Sequence, residues 1–216
     1  MNNNNLRIVQ LLPEELEKYL IPDHNRLYSI GIHPCQIERN YRQEMEILRR
    51  YATSPLVAAI GEAGLDKTCR TGFVLQQELF YEEALLAAYV RKPLIIHCVK
   101  AWQEIIALHK TLRPSIPWII HGFRGKPELA HSLLREGFYL SFGEKFNPAS
   151  VVLTPSNRLC IETDESDLSI DAIYRHIAFV RQVLVTQLLE KTSHPFRVLC
   201  PDSATLYIDT HTHSNN

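Results

Sequence analysis

The segment Leu206–His213 reads L-Y-I-D-T-H-T-H and decides the predicted fold of the chain. Its first residues are apolar, as in a buried strand, and its end carries His211 and His213. Residues two apart on a strand point to the same side, so both imidazoles are predicted to converge at one strand end. Two converging histidines are a common beginning of a metal site. An H-x-H motif alone is weak evidence, so the rest of the chain has to support it.

Seven further apolar segments predict strands, and helical patterns separate most of them. The strands are predicted at Arg7–Leu11, Leu27–His33, Val57–Glu62, Pro93–Val99, Trp118–Phe123, Tyr139–Gly143 and Leu159–Asp164. The helices are predicted at Pro13–Leu20, Gln43–Tyr51, Val74–Val90, Ala101–Leu112, Pro127–Glu136 and Ile170–Glu190. Near-continuous apolar strands are typical of buried parallel sheets, and the alternation predicts an α/β fold.

A TIM-type (β/α)8 barrel needs eight parallel strands, and seven precede the last segment. Leu206–His213 supplies the eighth, so we predict one barrel domain over residues 1–216 whose H-x-H strand comes from the C-terminus. The two Asn-rich chain ends would then form one loop, which is the arrangement that a circular permutation produces, natural or engineered. The alternative is a disordered tail that carries two histidines by coincidence.

Composition narrows the class of protein. The chain has 216 residues and a net charge of -1, which argues against a broad electrostatic grip on duplex nucleic acid. Its five cysteines are scattered without a C-x-x-C pair, which predicts reduced thiols and a cytoplasmic protein rather than a disulfide framework. No apolar run approaches the ~20 residues that span a bilayer, so no membrane association is expected. No feature predicts a protein partner.

Polar residues with metal-binding chemistry recur at the predicted strand ends, where barrel active sites lie. They are His33, Glu62, His97, His121, Asp164, His211 and His213. Without His33, this set offers four imidazoles and two carboxylates, enough for two divalent metal ions that share a carboxylate. Each residue taken alone also fits a hydrogen-bonded core histidine or a capping acid. Their joint position favours the metal site.

The motifs H-T-H, G-I-H-P, G-E-A-G-L-D, I-I-H-C, I-I-H-G-F and E-T-D together resemble the TatD family of metal-dependent deoxyribonucleases, within the amidohydrolase-like barrels. The motif set is specific and extends over nearly the whole chain, with H-x-H last instead of first. The resemblance implies two divalent metal ions, Mg, Mn or Zn. It implies the following ligands: His211, His213, Glu62 and Asp164 for one ion, and Glu62, His97 and His121 for the other.

The resemblance also implies roles. Glu62 would bridge the ions, Asp164 would act as general base on the attacking water, and His33 would touch substrate. Arg124 and Lys100 follow strand ends and are the predicted phosphate contacts, since a guanidinium pairs with phosphate through two hydrogen bonds. The implied substrate is single-stranded DNA or DNA ends.

Further residues follow strand ends and are candidates for the rim of the same face. The alternative is that the cations are ordinary surface-loop residues and the aromatic residues belong to the core. The cations are Lys67, Arg70, Lys126 and Lys145, and the aromatic residues are Trp102, Phe123 and Phe146. Cys35 and the pair Ser214 and Asn215 stand where the family commonly has His and Leu-Asp, which puts the substrate range in doubt. Two other functions therefore stay open: an amide, ester or lactone hydrolase on the same barrel, and a catalytically silent binding protein.

Overall fold

Strands and helices alternate in the computed structural model, which describes residues 5–37, 40–164, 166–192 and 205–209. The strands are β1 (Asn5–Leu11), β2 (Arg26–Ile30), β3 (Val57–Asp66), β4 (Leu94–Val99), β5 (Trp118–Ile120), β6 (Tyr139–Phe142), β7 (Leu159–Ile161) and β8 (Thr205–Asp209). The helices are α1 (Leu16–Tyr19), α2 (Tyr41–Tyr51), α3 (Phe73–Val90), α4 (Trp102–Leu112), α5 (Pro127–Arg135), α6 (Pro148–Leu153), α7 (Ile170–Arg181) and α8 (Val185–Thr192). Short 3-10 turns occupy Pro13–Glu15 and Ser156–Arg158.

The chain divides into two units. The first unit comprises Gln10–Asp23 and Leu27–Ile119, and the second comprises Met1–Val9, His24–Arg26 and Ile120–Asn216. Each unit has a core of apolar residues with little or no solvent exposure, such as Ile60 and Ile95 in the first and Leu140 and Ile161 in the second.

In the first unit, β2, β3 and β4 are neighbouring parallel strands, and α3 packs against β3. All ten residues of β3 are buried, as expected of a central parallel strand. The strand was predicted to end at Glu62 but continues to Asp66. Gly64 permits this extension, because a Cβ there would lie 2.0 Å from the carbonyl oxygen of His97, and its φ is +149°.

In the second unit, β6 and β7 pair in parallel with Leu140 opposite Leu159. The last strand, β8, pairs in parallel with β1, from Asn5 opposite Thr205 to Val9 opposite Asp209. Its hydrogen-bonded neighbour within the described residues is β1. His211 and His213 lie outside the described residues. Closure of an eight-stranded barrel and the circular permutation therefore remain predictions.

One helix prediction was wrong. The pattern predicted a single helix over Ile170–Glu190, whereas α7 ends at Arg181 and α8 begins at Val185. Gln182 adopts a left-handed conformation with φ +54°, and its N–H and that of Val183 bond back to carbonyls of the last turn of α7. This is the hydrogen-bonding pattern by which helices usually stop at glycine, here made by a glutamine.

The expectation of reduced thiols also needs correction, because the structure joins Cys35 and Cys69 in a disulfide within the first unit. The loops that follow β2 and β3 bring the two together across 34 residues of sequence. Among the described residues, no helix is both long enough and apolar enough to cross a membrane.

Candidate active site

Three side chains in the first unit form a candidate metal-binding cluster. His33, Glu62 and His97 each offer a ligand atom, and these atoms lie within 4.8 Å of one another. His33 Nε2 lies 3.8 Å from Glu62 Oε2, and the rings of His33 and His97 meet edge to face at 4.3 Å. Glu62 is buried and both histidines are partly exposed, so a buried negative charge faces two imidazoles at an accessible position. Imidazole nitrogen and carboxylate oxygen are ligands that suit Zn²⁺ and Mn²⁺.

Asp66 completes this cluster, and sequence reasoning missed it. Its Oδ2 lies 3.0 Å from His97 Nε2, and its Oδ1 accepts hydrogen bonds from the backbone and hydroxyl of Thr68. Burial raises the pKa of Asp66, but the hydrogen bonds from Thr68 and His97 outweigh it, so the pKa lies below its usual value. A carboxylate on one ring nitrogen of a histidine fixes the ring and turns the other nitrogen toward a metal. The signal was present, since Asp66 ends the G-E-A-G-L-D motif.

His33 is held from the opposite side. The backbone N–H of Cys35 donates to His33 Nδ1 at 3.2 Å. A neutral imidazole that accepts at Nδ1 carries its proton on Nε2, the nitrogen that faces Glu62. This tautomer presents a donor at the cluster and leaves the metal-binding roles in it to Glu62 and His97.

A pocket of about 620 Å³ adjoins His33 in the first unit. Most of its apolar wall comes from Leu12, Pro13, Ile32, Ile37 and Ile47, and its polar wall from Glu14, Gln36, Asn40 and Glu44. The lining thus combines an apolar surface with amide and carboxylate groups, which suits an uncharged ring with polar edges.

The second unit holds a pair built on His121 and Glu162. His121 Nδ1 lies 3.7 Å from Glu162 Oε1, which also accepts the backbone N–H of Gly122 at 2.5 Å. The side chain of Glu162 has no solvent exposure, and its Oε2 has no hydrogen-bond partner in the described part of the chain. An oxygen of this kind fits a nearby cation, because a buried carboxylate without a partner is costly.

Asp164 and Arg124 lie at a small cavity in the second unit, of about 130 Å³. Arg124 Nη2 is 3.8 Å from Asp164 Oδ2, and the arginine side chain is 57% exposed. The cavity is lined by Gly122, Arg124, Gly143, Glu144, Lys145, Glu162, Thr163, Asp164 and Ser166. Two cations and three acids therefore border one opening.

Comparison with known proteins identifies the family. Residues 12–195 match the family model described as TatD related DNase. The chain belongs to the TatD-related DNase family.

Relatives and solved structures agree with this membership. The chain is 34% identical over 163 residues to an uncharacterized metal-dependent hydrolase of Buchnera aphidicola, covering 71% of this chain and 61% of that protein. It is 33% identical over 147 residues to the 3'-5' ssDNA/RNA exonuclease TatD of Erwinia amylovora, covering 63% of this chain and 56% of that protein. The chain thus matches about three fifths of the length of these curated relatives.

The crystal structure of YjjV, a TatD homologue from Escherichia coli, superposes with a TM-score of 0.79 at 20% identity, covering 89% of this chain and 85% of that one. A TatD-family hydrolase from Entamoeba histolytica gives a TM-score of 0.72 at 18% identity, covering 91% and 85%. The predicted α/β fold is therefore confirmed.

The predicted site residues do not all lie at the same point of their strands. Glu62 and His97 lie within β3 and β4, whereas His33, His121 and Asp164 come after the ends of β2, β5 and β7. These three strands were predicted to be longer than they are. Asp164 has a φ of +49°, which is outside the extended conformation, so β7 ends before this residue.

Two of the predicted rim residues are engaged elsewhere. Phe123 is buried and packs edge to face on Phe142 at 5.8 Å, so it belongs to the core and does not present a face to a base. Lys67 forms an ion pair with Glu104. Lys100 is exposed directly after β4, as predicted, with φ +57°.

Proposed function

We propose that this chain is a divalent-metal-dependent hydrolase that cleaves phosphodiester bonds in single-stranded DNA or at DNA ends. The observation that carries the proposal is the His33, Glu62 and His97 cluster, with Asp66 orienting His97, in a chain of the TatD-related DNase family. Four residues would then carry the reaction. They are Asp164 as the general base, Arg124 as the phosphate contact, His33 as a hydrogen-bond donor to substrate and Glu62 as the bridge between the ions. The TatD exonuclease relative supports the substrate class.

The proposed cofactors are two divalent ions, Mg, Mn or Zn. His211, His213, Glu62 and Asp164 would hold one ion, and Glu62, His97 and His121 the other. The donors fit such ions, since they combine imidazole nitrogen with carboxylate oxygen, and the buried Glu162 carboxylate adds negative charge beside His121. When bound, metal ions lower the pKa of water and clamp the oxygens of a phosphoryl group.

For His211 and His213 to contribute, β8 has to continue to His213 and close the barrel. The pairing of β8 with β1, which sets Asp209 opposite Val9 two residues before His211, supplies one of the two neighbours that closure requires. The other would be β7, the strand of Leu159–Asp164 in the prediction. A C-terminal H-x-H strand that replaces the usual first strand is what a circular permutation of the family fold would supply. We also propose a cytoplasmic location, because the one disulfide among the described cysteines, Cys35–Cys69, with Cys98 and Cys160 free, is not the disulfide framework of a small secreted domain.

Asp164 is the proposed general base, and it takes a proton from the attacking water. Arg124 lies beside it, and its exposed guanidinium is able to turn toward a phosphate and pair with two oxygens. Lys100 adds a second cation from an exposed position. His33 donates a hydrogen bond through Nε2 to a substrate oxygen, because its Nδ1 accepts one from the backbone N–H of Cys35.

The pocket beside His33 suits a nucleobase, since its mixed lining offers an apolar surface for the ring and polar groups for its edge. Its described lining residues include no lysine or arginine, so we assign phosphate binding to Arg124 and Lys100. An unpaired base fits this division better than a duplex does.

The test is a hydrolysis panel with Mg²⁺, Mn²⁺ or Zn²⁺ on single-stranded DNA, duplex DNA, RNA and simple esters. We expect metal-dependent cleavage, fastest on single-stranded DNA and strongly reduced in Arg124→Ala. Ester hydrolysis that Arg124→Ala leaves unchanged, without DNA cleavage, would establish an amide, ester or lactone hydrolase instead. No metal binding and no hydrolysis of any substrate would establish a silent binding protein.

A further inference from the structure

The disulfide between Cys35 and Cys69 lies next to the candidate metal cluster of the first unit. The Cα atoms are 5.2 Å apart, inside the range of ~4.4–6.8 Å that accommodates a disulfide without backbone movement. Cys35 is exposed and Cys69 is partly exposed, so small oxidants and reductants reach the pair. The other described cysteines differ, since burial raises the pKa of Cys98 to about 12 and holds that of Cys160 well above its usual value.

Cys35 contacts two residues that organise the cluster. Its Sγ lies 3.7 Å from Asp66 Oδ2, the same oxygen that lies 3.0 Å from His97 Nε2. Its backbone N–H donates to His33 Nδ1. A change of chemical state at Cys35 therefore reaches both histidines of the cluster through one contact each.

We propose that Cys35 and Cys69 are an oxidative modification site, a dithiol–disulfide pair that exchanges with glutathione disulfide and tunes metal binding by His97. The thiolate of exposed Cys35 attacks glutathione disulfide, forming a mixed disulfide and releasing one glutathione thiolate. The Cys69 thiolate then attacks Cys35 Sγ and releases the second glutathione. Two electrons pass from the protein to the oxidant, and the two thiol protons leave to the two glutathione thiolates.

The two states differ in one hydrogen bond. A reduced Cys35 carries an S–H that donates to Asp66 Oδ2, where it competes with the Nε2–H of His97. A disulfide sulfur has no proton, so in the oxidised state this oxygen accepts from His97 alone. Because the outer hydrogen bond raises the basicity of a metal-binding histidine, the oxidised chain binds metal more tightly.

The exchange is tested first on the metal-free full-length chain. The protein is equilibrated in glutathione buffers of increasing oxidised fraction, free thiols are blocked with N-ethylmaleimide, and each cysteine is counted by mass spectrometry. We expect Cys35 and Cys69 to become protected together with one shared midpoint, and Cys98→Ser to leave that midpoint unchanged. Independent protection of the two cysteines, or a disulfide that persists in fully reduced buffer, contradicts the exchange. Protection of both reduced thiols by one equivalent of Zn²⁺ would identify a cation site instead.

The tuning, which rests on the proposed function, is tested by Mn²⁺ titration calorimetry of the oxidised and reduced chains. Loss of an outer hydrogen-bond partner typically costs ~10–100-fold in metal affinity, so we expect a smaller loss on reduction. Cys35→Ser keeps a donor near Asp66 and should bind like the reduced chain, whereas Cys35→Ala removes it and should bind like the oxidised chain. The Mn²⁺ affinity of these two variants should not depend on the oxidised fraction of the glutathione buffer.

Equal affinity of the two wild-type states contradicts the tuning. If neither state binds Mn²⁺, the proposed metal centre fails and the tuning fails with it. The alkylation experiment still decides the exchange in that case, because it uses neither metal nor nucleic acid.

Discussion

Asp164 carries the most demanding role at the residue scale. Its carboxylate lies beside Arg124 at the rim of a cavity, with a left-handed backbone conformation that leaves it outside β7. Asp164→Asn keeps the shape of the side chain but removes the base. We expect turnover to fall ~10²–10⁴-fold, as is typical for loss of a general base, while affinity for a short single-stranded oligonucleotide is retained.

The matched control is Asp167→Asn, an exposed acid in the same loop. Single-turnover cleavage at saturating metal is the measurement, with fluorescence anisotropy for binding. Cleavage by Asp164→Asn at near the wild-type rate means that the base is elsewhere, and Glu62 becomes the next candidate.

Glu62 is the proposed bridge between the two ions. Glu62→Gln preserves the volume of a buried side chain but removes the charge that offsets two adjacent cations. We expect it to lower occupancy of both metal sites, whereas His97→Ala should mainly lower one. Metal content by plasma mass spectrometry, after dialysis against a fixed low concentration of Mn²⁺, checks this. Two full equivalents in Glu62→Gln would be incompatible with bridging.

At the scale of elements, Lys92 ties the end of α2 to the turn between α3 and β4. Its Nζ donates to the carbonyl oxygens of Ala52 at 2.6 Å and Ser54 at 2.7 Å, and the residue is only 8% exposed. Lys92→Met leaves these two carbonyls without that donor. We expect the free energy of unfolding to fall by ~1–3 kcal/mol, measured by urea denaturation. An unchanged urea midpoint would contradict this role.

Lys92 also predicts a pH dependence. Burial lowers its pKa from 10.5 to about 8. Between these values the unfolded chain binds more protons than the folded chain at this residue, so its contribution makes stability rise with pH. We expect the wild type to gain stability relative to Lys92→Met from pH 8 to pH 10.5. A difference between the two proteins that is constant over this range would show that Lys92 keeps its ordinary pKa.

The sequence predicted where elements occur better than where they end. Apolar runs located each strand, because burial on both faces of a parallel sheet leaves a strong signal. The ends depend on contacts that a local pattern lacks. Gly64 lets β3 run on to Asp66 by close approach to the His97 backbone, and Gln182 stops α7 in a conformation usually left to glycine.

The same limit applies to the candidate site. The strand-end histidines and acids were visible as motifs, since each follows an apolar run. The hydrogen bond from His97 to Asp66 and the disulfide of Cys35 with Cys69 were not, because the first joins two neighbouring strands and the second joins two loops, and in each case the partners are far apart in sequence. Phe123 was a candidate for base stacking until its burial against Phe142 showed a core role.

At the scale of the whole molecule, β8 covers an edge of β1. Deleting the chain from Leu206 onward removes this parallel partner and leaves backbone donors and acceptors of β1 unpaired. We expect insoluble protein rather than a soluble protein that lacks activity. Deletion from Ser214 onward, which spares the strand and the H-T-H motif, is the control and should leave soluble protein. A soluble, cooperatively unfolding chain that lacks residues 206–216 would contradict a structural role for β8.

The C-terminal H-T-H motif is proposed to supply metal ligands to the active site of a nuclease. The most direct measurement is Mn²⁺-dependent cleavage of a single-stranded DNA oligonucleotide, with bound metal counted in parallel, for the wild type and for His211→Ala/His213→Ala. We expect the wild type to cleave, chelation to stop cleavage, and the double variant to lose activity together with about one equivalent of metal. Cleavage at the wild-type rate by a double variant that keeps its full metal content would contradict it.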